Sequence, residues 1–363
     1  MPPISVMVKP SSSNCNMNCG YCFYHSLAGQ RESFSHGLMD INIIEDIIIK
    51  AFEFTKGERV YLSFQGGEPL LSGKEFYKAV NKAVKERNIY NSEVHIALQT
   101  NGALIDGEWC KIFKENNYLI GVSLDGRRED NIYRVYKDGK ETFDDVIRGI
   151  NLLQKNNIDY NILSVVTRLA AENITEIYEF CKGGGHRFLQ FIPCLRPFGH
   201  NEEDDMYMTG EQYGDYLVKL FKLYYQDYIK GNYISVRQLD NFVSLAAGRQ
   251  AEQCGMNGHC SCQFVIEGDG SVYPCDFYCL DEYQLGNIVN TDFFTLSKSM
   301  KLREFVRNSM KIEDKCRNCG YYQLCRNGCF RERECVDKCT AYGIFFNTCL
   351  PYLQKLKAGL KRA

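Results

Sequence analysis

A chain of 363 residues is long enough for about two domains, and 45% hydrophobic with 24% charged residues fits a folded protein with a full core. The net charge of −2 gives no basic footprint, so nucleic acid is not an expected partner. The start of the chain lacks a basic-then-apolar export pattern, and Ile41–Ile49 is too short and too interrupted to span a bilayer; a cytoplasmic protein with no membrane partner is expected. In a reducing compartment the eighteen cysteines read as metal ligands rather than disulfide partners.

In chain order, β-rich runs alternate with helical patterns. Strands are predicted at Ser5–Val8, Val60–Phe64, His95–Leu98, Ile120–Ser123, Ile162–Val166 and Phe188–Ile192. Helices are predicted over Leu38–Thr55, Gly73–Arg87, Gly107–Asn117, Thr142–Asn156 and Asn173–Lys182, where apolar residues recur at helical spacing, as in Phe143, Val146, Ile147 and Ile150. Such alternation predicts an α/β fold on a parallel sheet, either a partial barrel of six βα units or an open sheet. Chemistry in these folds sits at the C-terminal strand ends. Q-G-G-E-P (Gln65–Pro69), Q-T-N-G (Gln99–Gly102) and S-L-D-G (Ser123–Gly126) all follow predicted strands. An aromatic-rich bridging helix is predicted over Thr209–Tyr233. From about Cys254 cysteines become dense and the helical signal weakens, so the boundary falls near 235–250, giving domains 1–235 and 236–363. Lys355–Ala363 reads as a basic, solvated helical tail, and Glu202–Asp205 as an acidic loop.

The cysteines fall into groups. Cys15, Cys19 and Cys22 form C-x3-C-x2-C just after the first strand. Three thiolates can hold a four-iron cluster with one iron open. The alternative is a zinc site completed by His25. Further on, Cys316, Cys319, Cys325 and Cys329 follow Cys254, Cys260 and Cys275, and one later cysteine would bring this set to eight. Eight thiolates can close two more clusters, although two structural zinc sites satisfy the spacing equally. Phe264–Glu267 and Ser271–Tyr273 are predicted to form a hairpin turning at Gly270, which brings Cys260 and Cys275 together.

The three-cysteine motif with Tyr21 before its last member, followed one βα unit later by Gly-Gly-Glu-Pro, resembles the radical S-adenosylmethionine superfamily. The C-terminal cysteines resemble its SPASM extension. The resemblance implies a partial (β/α)6 TIM-like radical SAM barrel with a C-terminal cysteine-rich SPASM domain. It implies three [4Fe–4S] clusters and S-adenosylmethionine as cofactors. Cys15, Cys19 and Cys22 would bind the first cluster; Cys254, Cys260, Cys275 and Cys329 the second; Cys316, Cys319, Cys325 and Cys339 the third. Cys335 and Cys349 compete for that last place, and Cys262 competes with Cys260. Cys339 heads C-T-A-Y-G-I-F-F, which is similar to the family ending.

Longer matches, including Y-C-F-Y-H-S-L, F-Q-G-G-E-P, L-Q-T-N-G, C-G-M-N-G and S-V-Y-P-C-D-F-Y, resemble the anaerobic sulfatase-maturating enzymes. That resemblance implies oxidation of a cysteine or serine in a sulfatase to Cα-formylglycine through a 5′-deoxyadenosyl radical, with ferredoxin or flavodoxin as electron donor. Asp276 would be the base. Tyr21, Gly67, Ser123, Arg134 and Leu195 would contact S-adenosylmethionine, and Tyr24 and Gln65 the target peptide. Asp130 stands where the family commonly has histidine. The alternative is another SPASM peptide maturase, for example one forming thioether links. Such enzymes usually carry a recognition domain ahead of the barrel, for which a cluster motif at residue 15 leaves no room.

Overall fold

The structure, a computed structural model, describes residues 2–199 and 204–360. Glu202 and Glu203 of the acidic loop and the end of the basic tail Lys355–Ala363 lie outside the described residues. Ten strands form among the described residues: β1 (Ile4–Val8), β2 (Val60–Phe64), β3 (Val94–Thr100), β4 (Leu119–Ser123), β5 (Tyr160–Val166), β6 (Phe188–Pro193), β7 (Ser235–Val236), β8 (Val265–Ile266), β9 (Ser271–Tyr273) and β10 (Gly286–Asn287). The six strands expected from the sequence are β1 to β6, each within a few residues of its predicted bounds.

The chain packs as two compact units. One comprises Met1–Ser123, Arg134–Tyr160 and Cys262–Phe305; the other comprises Leu124–Tyr133, Asn161–Ser261 and Val306–Ala363. In the first unit β1 to β4 pair in parallel, with Ile4 opposite Val60, Val60 opposite Val94 and Ala97 opposite Leu119. Their inward side chains, among them Val6, Val8, Phe64 and Leu98, are almost fully buried. Each such side chain contributes about 1.5–3 kcal/mol through burial. Helices Ile41–Thr55, Lys74–Glu86 and Gly107–Glu115 connect these strands, and Asp40 and Asp106 cap their helices by accepting from backbone amides.

The hairpin expected in the cysteine-rich region is present as β8 and β9, antiparallel and turning through Gly270. It belongs to the first unit. β8 pairs in parallel with β1, Met7 opposite Val265 and Val8 opposite Ile266. Residues numbered in the 260s and 270s are thereby placed at the C-terminal end of β1.

In the second unit β5, β6 and β7 are parallel, with Ile162 opposite Leu189 and Phe188 opposite Ser235. The bridging helix forms as Gly210–Ile229, opened by a capping box between Thr209 and Gln212. A long helix, Lys338–Leu360, packs along it. A Cβ on Gly214 would come within 2.9 Å of the Ile344 side chain, so glycine sets how closely the two axes approach. This 23-residue helix is stronger than the weak helical signal expected there. Its buried side chains, among them Ala341, Phe345, Cys349, Leu353 and Leu356, recur at helical spacing on one face, but Pro351 interrupts the pattern. No helix among the described residues is long and apolar enough to cross a membrane.

Candidate active site

The first cysteine loop is fastened to the loop after β2. Ser11 Oγ donates to the carbonyl of Glu68 at 2.9 Å, and the Glu68 amide donates to the carbonyl of Asn14 at 2.8 Å. Gly67 has φ +52°, and a Cβ there would lie 2.2 Å from the Asn14 carbonyl oxygen. Only glycine lets the two loops touch.

Glu68 locks this junction from the inside. Its carboxylate is fully buried and accepts from the Leu70 amide at 3.0 Å, the Thr100 hydroxyl at 2.8 Å and the Asn101 amide at 2.8 Å. Burial raises its pKa, and those three donors oppose the rise. Asn101 then donates through Nδ2 to Asn16 Oδ1 at 2.8 Å and lies 3.9 Å from Cys15 Sγ. Sequence reasoning valued Gly-Gly-Glu-Pro and Gln-Thr-Asn-Gly as strand-end motifs but missed that the Glu68 carboxylate joins them. The recurrence of polar motifs at successive strand ends was the available signal.

None of the eighteen cysteines is in a disulfide. Among the described residues no three Cys, His, Asp or Glu side chains converge tightly enough to grip one ion. The thiols are nevertheless grouped. Burial pushes Cys15 up to about 12, and Glu68, Cys19 and Cys22 lie near enough to add to the rise. His25, the alternative fourth ligand, is exposed and sits edge-on to Phe34 at 5.3 Å. A set of soft sulfur donors on one loop, without a converging imidazole, fits an iron–sulfur cluster, whose positive irons would draw these thiols into the thiolate form.

Asp276 stands at the centre of a buried charged network. Tyr24 Oη donates to its Oδ2 at 2.5 Å, and Gln65 Nε2 donates to Tyr24 Oη at 2.6 Å and to Oδ2 at 3.3 Å. Lys9 Nζ lies 3.5 Å from Oδ1, 3.3 Å from Glu267 Oε1 and 4.6 Å from the Tyr24 ring centre. Arg31 closes the row with Nη1 2.6 Å from Glu267 Oε1. Two cations and two carboxylates balance, which is the condition for burying such groups. Burial raises the Asp276 carboxyl above its ordinary range, and Lys9 and Tyr24 hold it back. Burial would discharge Lys9, but the Cys279 thiol, Glu267 and Asp276 outweigh it and keep the ammonium above its ordinary range. Sequence reasoning singled out Asp276, Tyr24 and Gln65, which meet here. It missed Lys9, Arg31 and Glu267, because nothing in a sequence announces that β8 lies beside β1.

Of the residues expected around S-adenosylmethionine, Tyr21 and Arg134 meet in the first unit, Nη1 donating to the phenol oxygen at 3.0 Å. Ser123 Oγ accepts from Gln99 Nε2 at 3.0 Å at the end of β4. Leu195 is buried in the second unit, just after β6. Asp130, the departure from the family pattern, is buried and anchors its own turn. It accepts from Arg127 Nε at 2.8 Å and from Asn173 Nδ2 at 2.8 Å.

In the second unit Cys254, Cys260 and Cys329 form one neighbourhood. Burial raises Cys329 to about 11, with Cys254 and Cys260 adding to the rise. Cys325 has Cys316 and Cys319 as neighbours in the same way, after burial as the main cause. Cys339 is exposed. With Cys316, and after the stronger hydrogen bond that Lys315 donates to Glu313, it helps hold Lys315 charged. Cys335 and Cys349 are buried, and Cys335 is bonded to Arg331. Cys275 belongs to the first unit, one residue before Asp276.

Comparison with known proteins identifies the family. The radical SAM superfamily profile matches residues 10–181, and an iron–sulfur cluster-binding domain, SPASM, matches 254–320. The cysteine-type anaerobic sulfatase-maturating enzyme of Clostridium novyi is 43% identical over 92% of this chain and 90% of its own. The serine-type enzyme of Bacteroides thetaiotaomicron is 30% identical over 99% and 92%. A solved structure described as native anSMEcpe with bound AdoMet and Cp18Cys peptide matches with a TM-score of 0.94 at 36% identity, covering 99% of this chain and 100% of that one. The expected α/β radical SAM fold with a SPASM domain therefore holds, and the chain belongs to the anaerobic sulfatase-maturating enzymes.

Proposed function

We propose that this enzyme oxidises a cysteine of a sulfatase polypeptide to Cα-formylglycine. The observation that carries this reading is the likeness, over nearly the whole chain, to a cysteine-type enzyme, which exceeds the likeness to the serine-type one. Nothing in the structure favours the thioether-forming alternative.

On the family resemblance, Cys15, Cys19 and Cys22 hold the first cluster. Cys254, Cys260, Cys275 and Cys329 hold the second, and Cys316, Cys319, Cys325 and Cys339 the third. Cys339 is preferred over Cys335 and Cys349 because its thiol is exposed while theirs are buried. Tyr21, Gly67, Ser123, Arg134 and Leu195 bind S-adenosylmethionine. When bound, these groups supply hydrogen-atom abstraction at the target Cβ and a path for the second electron.

The chain's own contribution is proton handling. Asp276 accepts the proton of the target thiol on Oδ2, the oxygen that Tyr24 and Gln65 already hold in place. Burial favours this transfer, because it raises the affinity of the carboxylate for a proton. Tyr24 and Gln65 orient the acceptor and border the target side chain. The reducing equivalent comes from a small iron–sulfur or flavin carrier in the cytosol.

The test incubates reduced, reconstituted enzyme and S-adenosylmethionine with peptides bearing C-x-P-x-R or S-x-P-x-R. The expected result is an aldehyde product from the cysteine peptide, with less from the serine peptide, alongside 5′-deoxyadenosine. Release of 5′-deoxyadenosine without aldehyde from either peptide would end the proposal.

A further inference from the structure

Lys9 is not among the residues expected at the site, yet it is buried, charged and placed between Asp276 and Glu267. Its position is set three ways. Its amide donates to the Ile266 carbonyl at 2.8 Å, tying the end of β1 to β8. Its methylenes fill the space beside Gly66, where a Cβ would come within 2.6 Å of Cε. Glu267 Oε1, itself gripped by Arg31 and fully buried, lies 3.3 Å from its ammonium.

The two oxygens of Asp276 are held differently. Oδ2 takes the bonds from Tyr24 and Gln65. Oδ1 is buried, takes no hydrogen bond, and has Lys9 Nζ at 3.5 Å as its ion-pair partner. A carboxylate held at only one oxygen can swing about the other torsion; a fixed cation at the second oxygen removes that freedom. We propose that Lys9, steadied by Glu267 and Arg31, is a positioning residue that fixes the Asp276 carboxylate with Oδ2 turned toward the target thiol. The inference rests on the reading of Asp276 as proton acceptor.

Two variants test it, Lys9→Met, which keeps the apolar stem against Gly66, and Lys9→Arg, which keeps the charge but moves it. Iron content, 5′-deoxyadenosine and aldehyde are measured in each, and the Asp276 side chain is located by crystallography. In whichever variant retains its iron, aldehyde formed per S-adenosylmethionine cleaved should fall by on the order of ten- to a hundredfold for Met and less for Arg. Asp276 should leave Tyr24 in the Met variant, and Lys9→Met added to Asp276→Asn should cost nothing further, because Lys9 acts only through Asp276. Unchanged coupling in an iron-loaded variant, or an equal further loss in the double variant, overturns the proposal. If the unaltered enzyme makes no aldehyde, the reading of function fails instead, and the two failures are distinguishable.

Discussion

The two places where cysteines gather are built on different principles. Around Cys15 the loops are held from inside by buried side chains: Glu68 spans three donors, Ser11 and Gly67 join two loops, and Asn101 reaches toward the first thiol. Around Cys316 and Cys325 the chain forms helices of only four residues, Asp314–Arg317 and Tyr322–Cys325, with few buried side chains. Helices that short have no independent stability. The first site is preorganised by buried side chains; the second rests on short helices tied to their neighbours by a few contacts, such as Asn327 donating to the Lys311 carbonyl and Tyr321 packing on Phe346.

Removal of iron should separate them most strongly. After anaerobic chelation, amide hydrogen exchange should rise far more over 314–329 than over 60–68 and 96–101, since metal binding and local folding are coupled most tightly where few side chains are buried. Equal loss of protection in both regions would show that the first site also depends on its metal.

Glu68 is where the preorganised side can be broken from within. Glu68→Ala removes one carboxylate and leaves the Leu70 and Asn101 amides and the Thr100 hydroxyl without their buried acceptor. The expected cost is about 3 kcal/mol of stability, read by denaturant unfolding of the iron-free protein. Glu68→Gln keeps one acceptor and should cost less. A loss well under 1 kcal/mol for Ala would mean that water replaces the carboxylate and that the loop junction does not depend on it.

Asp276→Asn probes chemistry rather than stability. The amide keeps the shape, cannot accept the proton and leaves Lys9 with Glu267. Formation of 5′-deoxyadenosine should persist, while aldehyde falls by on the order of a hundredfold. Equal yields from the variant and the unaltered enzyme would remove Asp276 from the proton-accepting role.

The contrast also separates what sequence can and cannot reveal. The six parallel strands were legible because each is an apolar run bounded by turns, and the three-cysteine loop because its spacing is local. Asp276 was found through resemblance. Lys9, Glu68, Glu267 and Arg31 were not, because their meaning lies in partners far along the chain, up to 267 residues away for Lys9 and Asp276 (276 − 9). A buried lysine beside proline in V-K-P reads like any surface lysine until β8 is seen pairing with β1. The helix Lys338–Leu360 was underestimated for a local reason: Pro351 lies inside it and breaks the helical pattern that its buried face otherwise shows.

The smallest effect concerns the hairpin that carries Asp276 to β1. His36 Nδ1 lies 3.1 Å from Asp269 Oδ2 in the turn between β8 and β9. The hydrogen bond to Asp269 raises the His36 pKa above 6.5, against a smaller opposing effect of burial. Asp269 is lowered to about 2: burial opposes the shift, but the bonds from His36 and the Ser271 amide prevail. For histidine the folded value lies above the unfolded one, so its stabilisation is complete below about pH 6.5 and fades as pH rises through the folded value. For Asp269 the order is reversed, so its stabilisation is complete above about pH 4 and fades as pH falls toward 2. The pair therefore supports the hairpin best between about pH 4 and 6.5. With solvent screening the contribution of the pair is below about 1 kcal/mol. Thermal melting of the unaltered protein should show a shallow loss of stability above pH 6.5 that His36→Gln abolishes. A pH profile unaffected by the substitution would mean that the β8–β1 pairing, rather than the ion pair in the turn, holds the hairpin where it carries Asp276.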